Sequence, residues 1–320
     1  MRPLRLAAFG LFAALLVAGL ALAGCGDASA VESGPLSVQT TEALDVLPAG
    51  VPLVGMVDLA AARQSGATAA LLDGPMGPFG DHAAFDDFVR RTGFDPSVDL
   101  DRVYLAASPD REAGALVVLA RFDRDRIERA LAENAEGELV RSEIDGVPVW
   151  SAADGEGGAL ALPNERMMLA GTAPEVRAMI GRLARGTQGL SSDAALVALI
   201  QKARHREHAW FVTRGLDAGA PTVMGPVGEF AESTVASLAF RDAGLDLDVY
   251  LAPRAGAAAG DVADVTRGAL AAARAQAGDT PQMLAMLDGA EVREDGAGVR
   301  VTMAVPQSVL DQSARHGAGR

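Results

Sequence analysis

Three residues combine the types and spacing that a metal ion needs: His205, Glu207 and His208, in the run His205-Arg206-Glu207-His208. Two histidines three apart share one face of a helix, and the nearby carboxylate adds an oxygen ligand. The zinc-protease arrangement places two residues between an initial His-Glu and the second His, and it is absent here. His82 and His316 are distant in the sequence. The run from Lys202 to His208 therefore also reads as the charged end of a helix before a strand. Asp95, Asp99 and Asp101 offer oxygens for calcium, but a calcium loop needs a central Gly and a closing Glu that this stretch lacks. Asp95-Pro96 reads instead as a turn opener and Asp101 as a strand-entry residue. Asp86-Asp87, and Glu207 with Glu229 and Glu232, supply carboxylates for acid–base work. In a chain with 42 acidic residues, such groupings describe a solvated face.

Nucleophiles are scarcer still. Lys202 is the single lysine among 28 basic residues. Its neighbours Gln201 and Ala203 do not fit a phosphate loop, which needs Gly before the Lys and Ser or Thr after it. No Gly-x-Ser-x-Gly elbow is present, and position 199, where a Ser-x-x-Lys pair would need its serine, is Leu199. Gly155-Glu156-Gly157-Gly158 lies between two strand-like runs and so reads as a hairpin turn, not as a dinucleotide loop. Met167-Met168 and Met283 with Met286 fall at strand and helix spacing, which places them in a core. The expectation is a chain with no catalytic residue, no cofactor and no metal, His205, Glu207 and His208 being the weak candidates.

Cys25 is the one cysteine of the chain, and its position gives it a role. Arg2 and Arg5 precede a run from Leu6 to Leu22 without a charged residue, and Leu22-Ala23-Gly24-Cys25 follows. A basic start, an apolar stretch and small residues before a cleavage point describe a secretory signal peptide. Leu-Ala-Gly-Cys resembles the bacterial lipobox. The resemblance implies diacylglycerol on the Cys25 sulfur, cleavage before Cys25, acylation of the new amino terminus, and attachment to a membrane. Several acyl chains hold far better than one, since each buried methylene adds about 0.8 kcal/mol. The folded part would then contain neither thiol nor disulfide. Gly26 follows the cysteine and Asp27 comes one place later. An aspartate directly after the cysteine is an inner-membrane retention signal, so the outer membrane is expected in a Gram-negative cell.

Composition narrows the field. The 320 residues carry a formal charge of -14, with 49% hydrophobic and 4% aromatic residues. Half the chain being apolar excludes global disorder. The negative charge and the scarcity of flat rings exclude nucleic acid, whose phosphates need clustered cations and whose bases need stacking platforms.

The elements around these residues alternate between short helices and hairpins. Five regions are expected: residues 1–24 as signal peptide, 25–43 as lipidated cysteine and flexible tether, 44–188 as one α+β lobe, 189–310 as a second, and 311–320 as a frayed tail. In the first lobe, a strand at Val51–Val57 leads into a helix from Asp58 through Leu72, broken at Asp73–Pro78. A helix over Phe85–Thr92 follows, then a hairpin of Arg102–Ala107 with Gly114–Phe122, and a helix over Asp123–Ala135. Strands over Glu138–Trp150 and Gly158–Leu169 turn at Asp145-Gly146 and near Gly155. Thr172 caps a helix running to Leu183. The second lobe repeats the order: a strand at Ala209–Thr213, a helical stretch at Val223–Glu232, a hairpin of Ala236–Phe240 with Leu245–Leu251, a helix over Asp261–Ala277, and a hairpin of Glu291–Arg293 with Gly298–Val305. The fold class is α+β, two similar lobes of antiparallel sheet with helices packed on one face, as an internal duplication would give.

Val46-Leu47-Pro48-Ala49-Gly50-Val51-Pro52, followed by a strand and Val57-Asp58-Leu59, resembles the opening of the exported bacterial proteins grouped as DUF3352. The resemblance extends to Thr92-Gly93-Phe94-Asp95-Pro96, to Glu143-Ile144-Asp145-Gly146-Val147-Pro148-Val149-Trp150 and to Met168-Leu169-Ala170-Gly171. None of these motifs is catalytic in character, so it implies export and no activity. Three functions follow in order: a lipid-anchored envelope protein whose domain binds another envelope protein or stabilises an assembly; a carrier or sensor of an apolar ligand or lipoprotein cargo; and a metal-assisted hydrolase.

Overall fold

The structure is a computed structural model that describes residues 34–64, 82–108, 113–133, 139–153, 157–215, 227, 230–242, 244–277 and 281–309. The signal peptide at 1–24, Cys25, the tether up to residue 33, the helical stretch beyond 64, Gly155 and the tail at 311–320 lie outside the described residues. The chain divides into two compact units. The first is built on Leu36–Ala61 and Pro78–Val197, and the second takes in Ala198–Arg320. The boundary falls at Val197/Ala198 rather than at 188/189.

The first unit opens with α1 (Val38–Val46). This corrects the tether, expected to reach residue 43. Ser37 caps the helix by accepting from the Thr40 N–H at 3.1 Å, and Ala43, Leu44 and Val46 are buried. A run of small and polar residues is thus drawn into a helix because its apolar positions find a core. The strands β1 (Leu53–Asp58), β2 (Leu100–Ser108) and β3 (Ala113–Ala120) form an antiparallel meander. The short helices α2 (Leu59–Ala62), α3 (His82–Thr92) and α4 (Pro96–Asp99) lie between β1 and β2 in the chain.

After β3 comes α5 (Arg124–Glu133), whose start is capped by Asp123 accepting from the Arg126 N–H at 3.0 Å. Its Ile127 and Leu131 pack with Val118 and Ala120 of β3 and with Phe94. The chain then continues through β4 (Leu139–Ile144), β5 (Val147–Ala152), β6 (Gly158–Asn164) and β7 (Met167–Thr172), and the spatial order is β1-β2-β3-β7-β6-β5-β4. The single strand expected over Gly158–Leu169 is in fact the hairpin β6–β7. The Asn164 side chain accepts from the Arg166 N–H at 2.9 Å and turns the chain back.

Next comes α6 (Ala173–Arg185), with Glu175 accepting from the Thr172 N–H at 3.2 Å and Gly186 in the left-handed conformation at its end. This helix packs on β7, β6 and α1. Thr40 of α1 reaches the Tyr104 hydroxyl at 3.3 Å. Tyr104 stands opposite Val117, one residue out of phase with the Val118 that faces α5. The first unit therefore carries α1 and α6 on the sheet face opposite α5.

The second unit starts within α7 (Ala194–Ile200). A meander of β8 (Ala209–Arg214), β9 (Ala231–Arg241) and β10 (Gly244–Pro253) follows, then α8 (Ala259–Gln276), α9 (Pro281–Asp288), β11 (Glu291–Asp295) and β12 (Gly298–Pro306). The order is β8-β9-β10-β12-β11. Leu245, Leu247, Val249 and Leu251 of β10 pack with Val262 and Ala263 of α8 and Met286 of α9. Ala231 and Glu232 belong to β9, where a helix was expected. The helix α9 went unread as an element, although Met283, Met286 and Leu287 fall at helical spacing and pack on the core of this unit.

Both units are antiparallel α+β, and their strand orders correspond. Each runs three meandering strands, a helix, and a return in which the last strand pairs with the third: β7 beside β3, β12 beside β10. The hairpin β4–β5 is an addition at the outer edge of the first unit.

Candidate functional site

The segment between α7 and β8 carries the metal candidates, and it is not a helix. The helix ends at Ile200, and residues 201–208 form successive turns. His205, Glu207 and His208 are accordingly not arrayed on one helix face. The His208 Nδ1 accepts from the Phe240 N–H at 3.0 Å, and its ring stands edge-on to the Phe240 ring, centroids 5.5 Å apart. Glu207 holds Arg241 at 3.1 Å, and Arg241 in turn holds Asp246 at 2.9 Å. His205 is buried. Among the described residues no group of three or more His, Cys, Asp or Glu is arranged to hold a metal ion.

The same segment closes over the most concentrated chemistry of the second unit. On the face of β10 away from α8, the even-numbered residues form a polar layer. Ser237, Asp248 and Thr302 stand in one row across β9, β10 and β12, with Tyr250 and Arg300 in the next. Asp248 and Arg300 are each 2% exposed. Arg300 donates from Nη1 to the Asp248 carboxylate, from Nε to Asp295 Oδ2 at 2.8 Å and from Nη2 to the Lys202 carbonyl at 3.2 Å. Arg204 Nε lies 3.2 Å from the other Asp248 oxygen, and the Arg204 N–H donates to the Ser237 hydroxyl at 2.8 Å. The Lys202 ammonium rests 5.2 Å from the centroid of the Tyr250 ring, and the Arg300 guanidinium 5.6 Å from it.

Electrostatics follow from this packing. The hydrogen bond from Arg300 holds the Asp295 carboxyl below its ordinary range. Burial pushes the Tyr250 phenol up, the Asp295 charge adds to that, and Arg300 works against it. The partners are internal to the cluster, so its chemistry is to pin residues 202–204 to the sheet. Arg300 is both paired and hydrogen-bonded to Asp248, whereas Arg204 Nε faces the other Asp248 oxygen as an ion pair without a hydrogen bond.

In the first unit, the calcium candidates Asp95, Asp99 and Asp101 are dispersed in role. Asp95 Oδ1 accepts from the Ser97 N–H at 2.9 Å and caps α4, while Asp99 accepts from the Asp95 N–H at 2.9 Å. Asp101 lies between Arg121 and Arg166, at 3.5 and 3.4 Å. Asp87 pairs with Arg91 at 2.8 Å on the surface of α3. Met168 and Met286 are core residues. The buried carboxylate that the sequence did not single out is Asp58, which accepts from the Ala61 N–H at 2.8 Å and from Arg102 Nε at 2.5 Å. Arg102 also reaches Gln39 of α1.

A groove of about 330 Å³ opens on the second unit, lined by Leu270, Leu287 and Val292 together with Arg267, Arg274 and Asp288. Arg274 and Asp288 bridge at 2.5 Å.

These features define a two-unit antiparallel α+β protein with a buried ionic layer in its second unit. Among solved structures, the chain is similar to TP0453, a Treponema lipoprotein. One crystal form superposes with a TM-score of 0.53 at 9% identity, covering 84% of this chain and 96% of that one. Two others give 0.48 at 9% and 0.47 at 10% identity. At such identity the likeness is one of fold. No family model matches the chain, and no curated protein does.

Proposed function

We propose that this is an exported, lipid-anchored protein of the cell envelope, akin to the DUF3352 group, whose folded units form a non-catalytic binding or structural domain. The observation that carries the reading is Leu22-Ala23-Gly24-Cys25 at the end of an uncharged run. It supplies a single cysteine where lipid attachment needs one. Support for the non-catalytic half comes from the buried ionic groups. Asp248 with Arg300 and Arg204, and Asp58 with Arg102, tie chain segments together and do not converge on a cavity. The reading places the anchor in the outer membrane facing the periplasm if the cell is Gram-negative.

The test is Cys25→Ser in the producing cell, with metabolic labelling by a fatty-acid probe. The substitution should abolish the label and leave an unprocessed precursor. Persisting label, or maturation at the same site, overturns the proposal. The second reading, a carrier of an apolar ligand, is favoured by the groove over Leu270, Leu287 and Val292. Saturable displacement of a fluorescent fatty acid, lost in Leu270→Arg, would select it.

A further inference from the structure

The strands β11 and β4, each at an end of its own unit's strand order, are treated differently. In β11, the Arg267 side chain of α8 donates to the Val292 carbonyl at 3.3 Å and so occupies part of that edge. Among the described residues no side chain does the same for β4, which pairs only with β5. An exposed strand edge is a row of backbone donors and acceptors ready to receive another strand. Arg141, Ser142 and Glu143 are exposed, and Val140 keeps 49% of its surface in solvent.

The direction of the backbone groups follows from the hairpin. Asp145 and Gly146 have φ of 48° and 77°, a two-residue turn closed by Ile144 and Val147. Alternate residues then exchange bonds with β5. Ile144, Ser142 and Val140 point inward, while Glu143 and Arg141 turn their N–H and C=O groups to the open edge. Pro148 stands opposite Glu143, at a rung where no donor is required.

We propose that this edge is a self-association surface whose occupant is β4 of a second copy of the chain, running antiparallel about a two-fold axis at Ser142. The sequence Val140-Arg141-Ser142-Glu143-Ile144 is self-complementary in that register. Arg141 of one copy stands opposite Glu143 of the other, Val140 opposite Ile144, and Ser142 opposite itself. The hydrogen-bonded rungs are then Arg141 with Glu143, the same residues whose backbone groups face outward. Registers centred on Arg141 or on Glu143 would set like charges face to face, which destabilises a directly opposed pair. A two-fold interface of this kind is isologous, so each favourable rung occurs twice. The proposal does not depend on the lipid anchor.

Disulfide trapping tests it in the full-length chain held in detergent, with Cys25→Ser removing the native thiol. Directly opposed side chains in such a rung lie about 5 Å apart at Cβ, within reach of a disulfide after small adjustment. Two copies of residue 140 would be about 13 Å apart. Oxidation should therefore dimerise Ser142→Cys and spare Val140→Cys. In the Ser142→Cys chain, Arg141→Glu or Glu143→Arg alone should slow dimer formation about tenfold, because two attractive rungs become repulsive. The combined Arg141→Glu/Glu143→Arg chain should recover the original rate, which also shows that the single variants did not simply misfold. Absence of dimer from Ser142→Cys overturns the proposal. So does equal trapping at 140 and 142, or a double variant as slow as the singles.

Discussion

At the scale of single residues, Asp248 bears most of the electrostatic load of the second unit. Two guanidiniums, Arg300 and Arg204, converge on its carboxylate in a layer sealed from water. Removing the carboxylate strands buried positive charge, which in such sites costs about 3–5 kcal/mol. Asp248→Ala should lower stability by that amount in urea denaturation, whereas Asp246→Ala, at the exposed end of the same strand face, should cost well under half as much. Asp295 gives a pH signature. Arg300 holds its carboxyl below the ordinary 3.8, so the folded state binds the proton less readily than the unfolded chain. The resulting stabilisation is fully present above that value and is lost as pH falls through the depressed one. The carboxylate is 37% exposed, so solvent screening keeps the effect modest. Asp295→Asn should unfold more easily than the native chain at pH 6, and the gap should close below pH about 4. A gap that persists at pH 2 would contradict the assignment.

At the scale of elements, the chain after α6 passes close against the end of α1. A Cβ on Gly189 would lie 2.2 Å from the Leu47 carbonyl and 2.7 Å from that of Asp45. The neighbouring Leu190 N–H donates to the same Leu47 oxygen at 3.3 Å, and Arg182 Nε donates to the Val46 carbonyl at 2.7 Å. The carbonyls at the end of α1 are thus satisfied by partners far along the chain. Gly189→Ala should destabilise by about 1–3 kcal/mol, the usual cost of forcing a methyl into a packed site, read as a lower urea midpoint. Local chemistry made some elements legible in advance. Asp145-Gly146 marks its turn because an Asp-Gly pair accepts positive φ, Asp123 and Thr172 mark helix starts, and Asp261 stands in the first turn of α8, which begins two residues earlier at Ala259. Other features depend on distant partners. The alternation Leu245-Asp246-Leu247-Asp248 reads as a strand with one face in water, and nothing near it says that Arg204 and residues 201–208 cover that face. The helical reading of the histidine run failed for the same reason. Residues 201–208 give up helical periodicity to bond with Ser237, Phe240 and Arg300.

At the scale of the whole molecule, each unit packs an apolar cluster against its sheet, with α5 in the first and with α8 and α9 in the second. The corresponding strand orders were foreseeable from the repeated run of strands and helices. The hairpin β4–β5 was legible through its Asp145-Gly146 turn, but its place at the outer edge of the first unit, beside β6, was not. The chain also carries a reporter in each unit. Trp150 lies on β5, 4% exposed, and Trp210 on β8, fully buried. Their indoles are the two tryptophans of the sequence, so Trp150→Phe and Trp210→Phe leave one fluorophore each. Burial from solvent predicts a large emission change at both sites on unfolding. Asp248 lies in the second unit, so Asp248→Ala should shift the urea midpoint seen by Trp210 by the full cost of the stranded charges and shift that seen by Trp150 by much less. Gly189→Ala should do the reverse. Coincident shifts at both tryptophans would mean that the two units unfold as one cooperative body, and the stability assigned to each cluster would then belong to the whole chain.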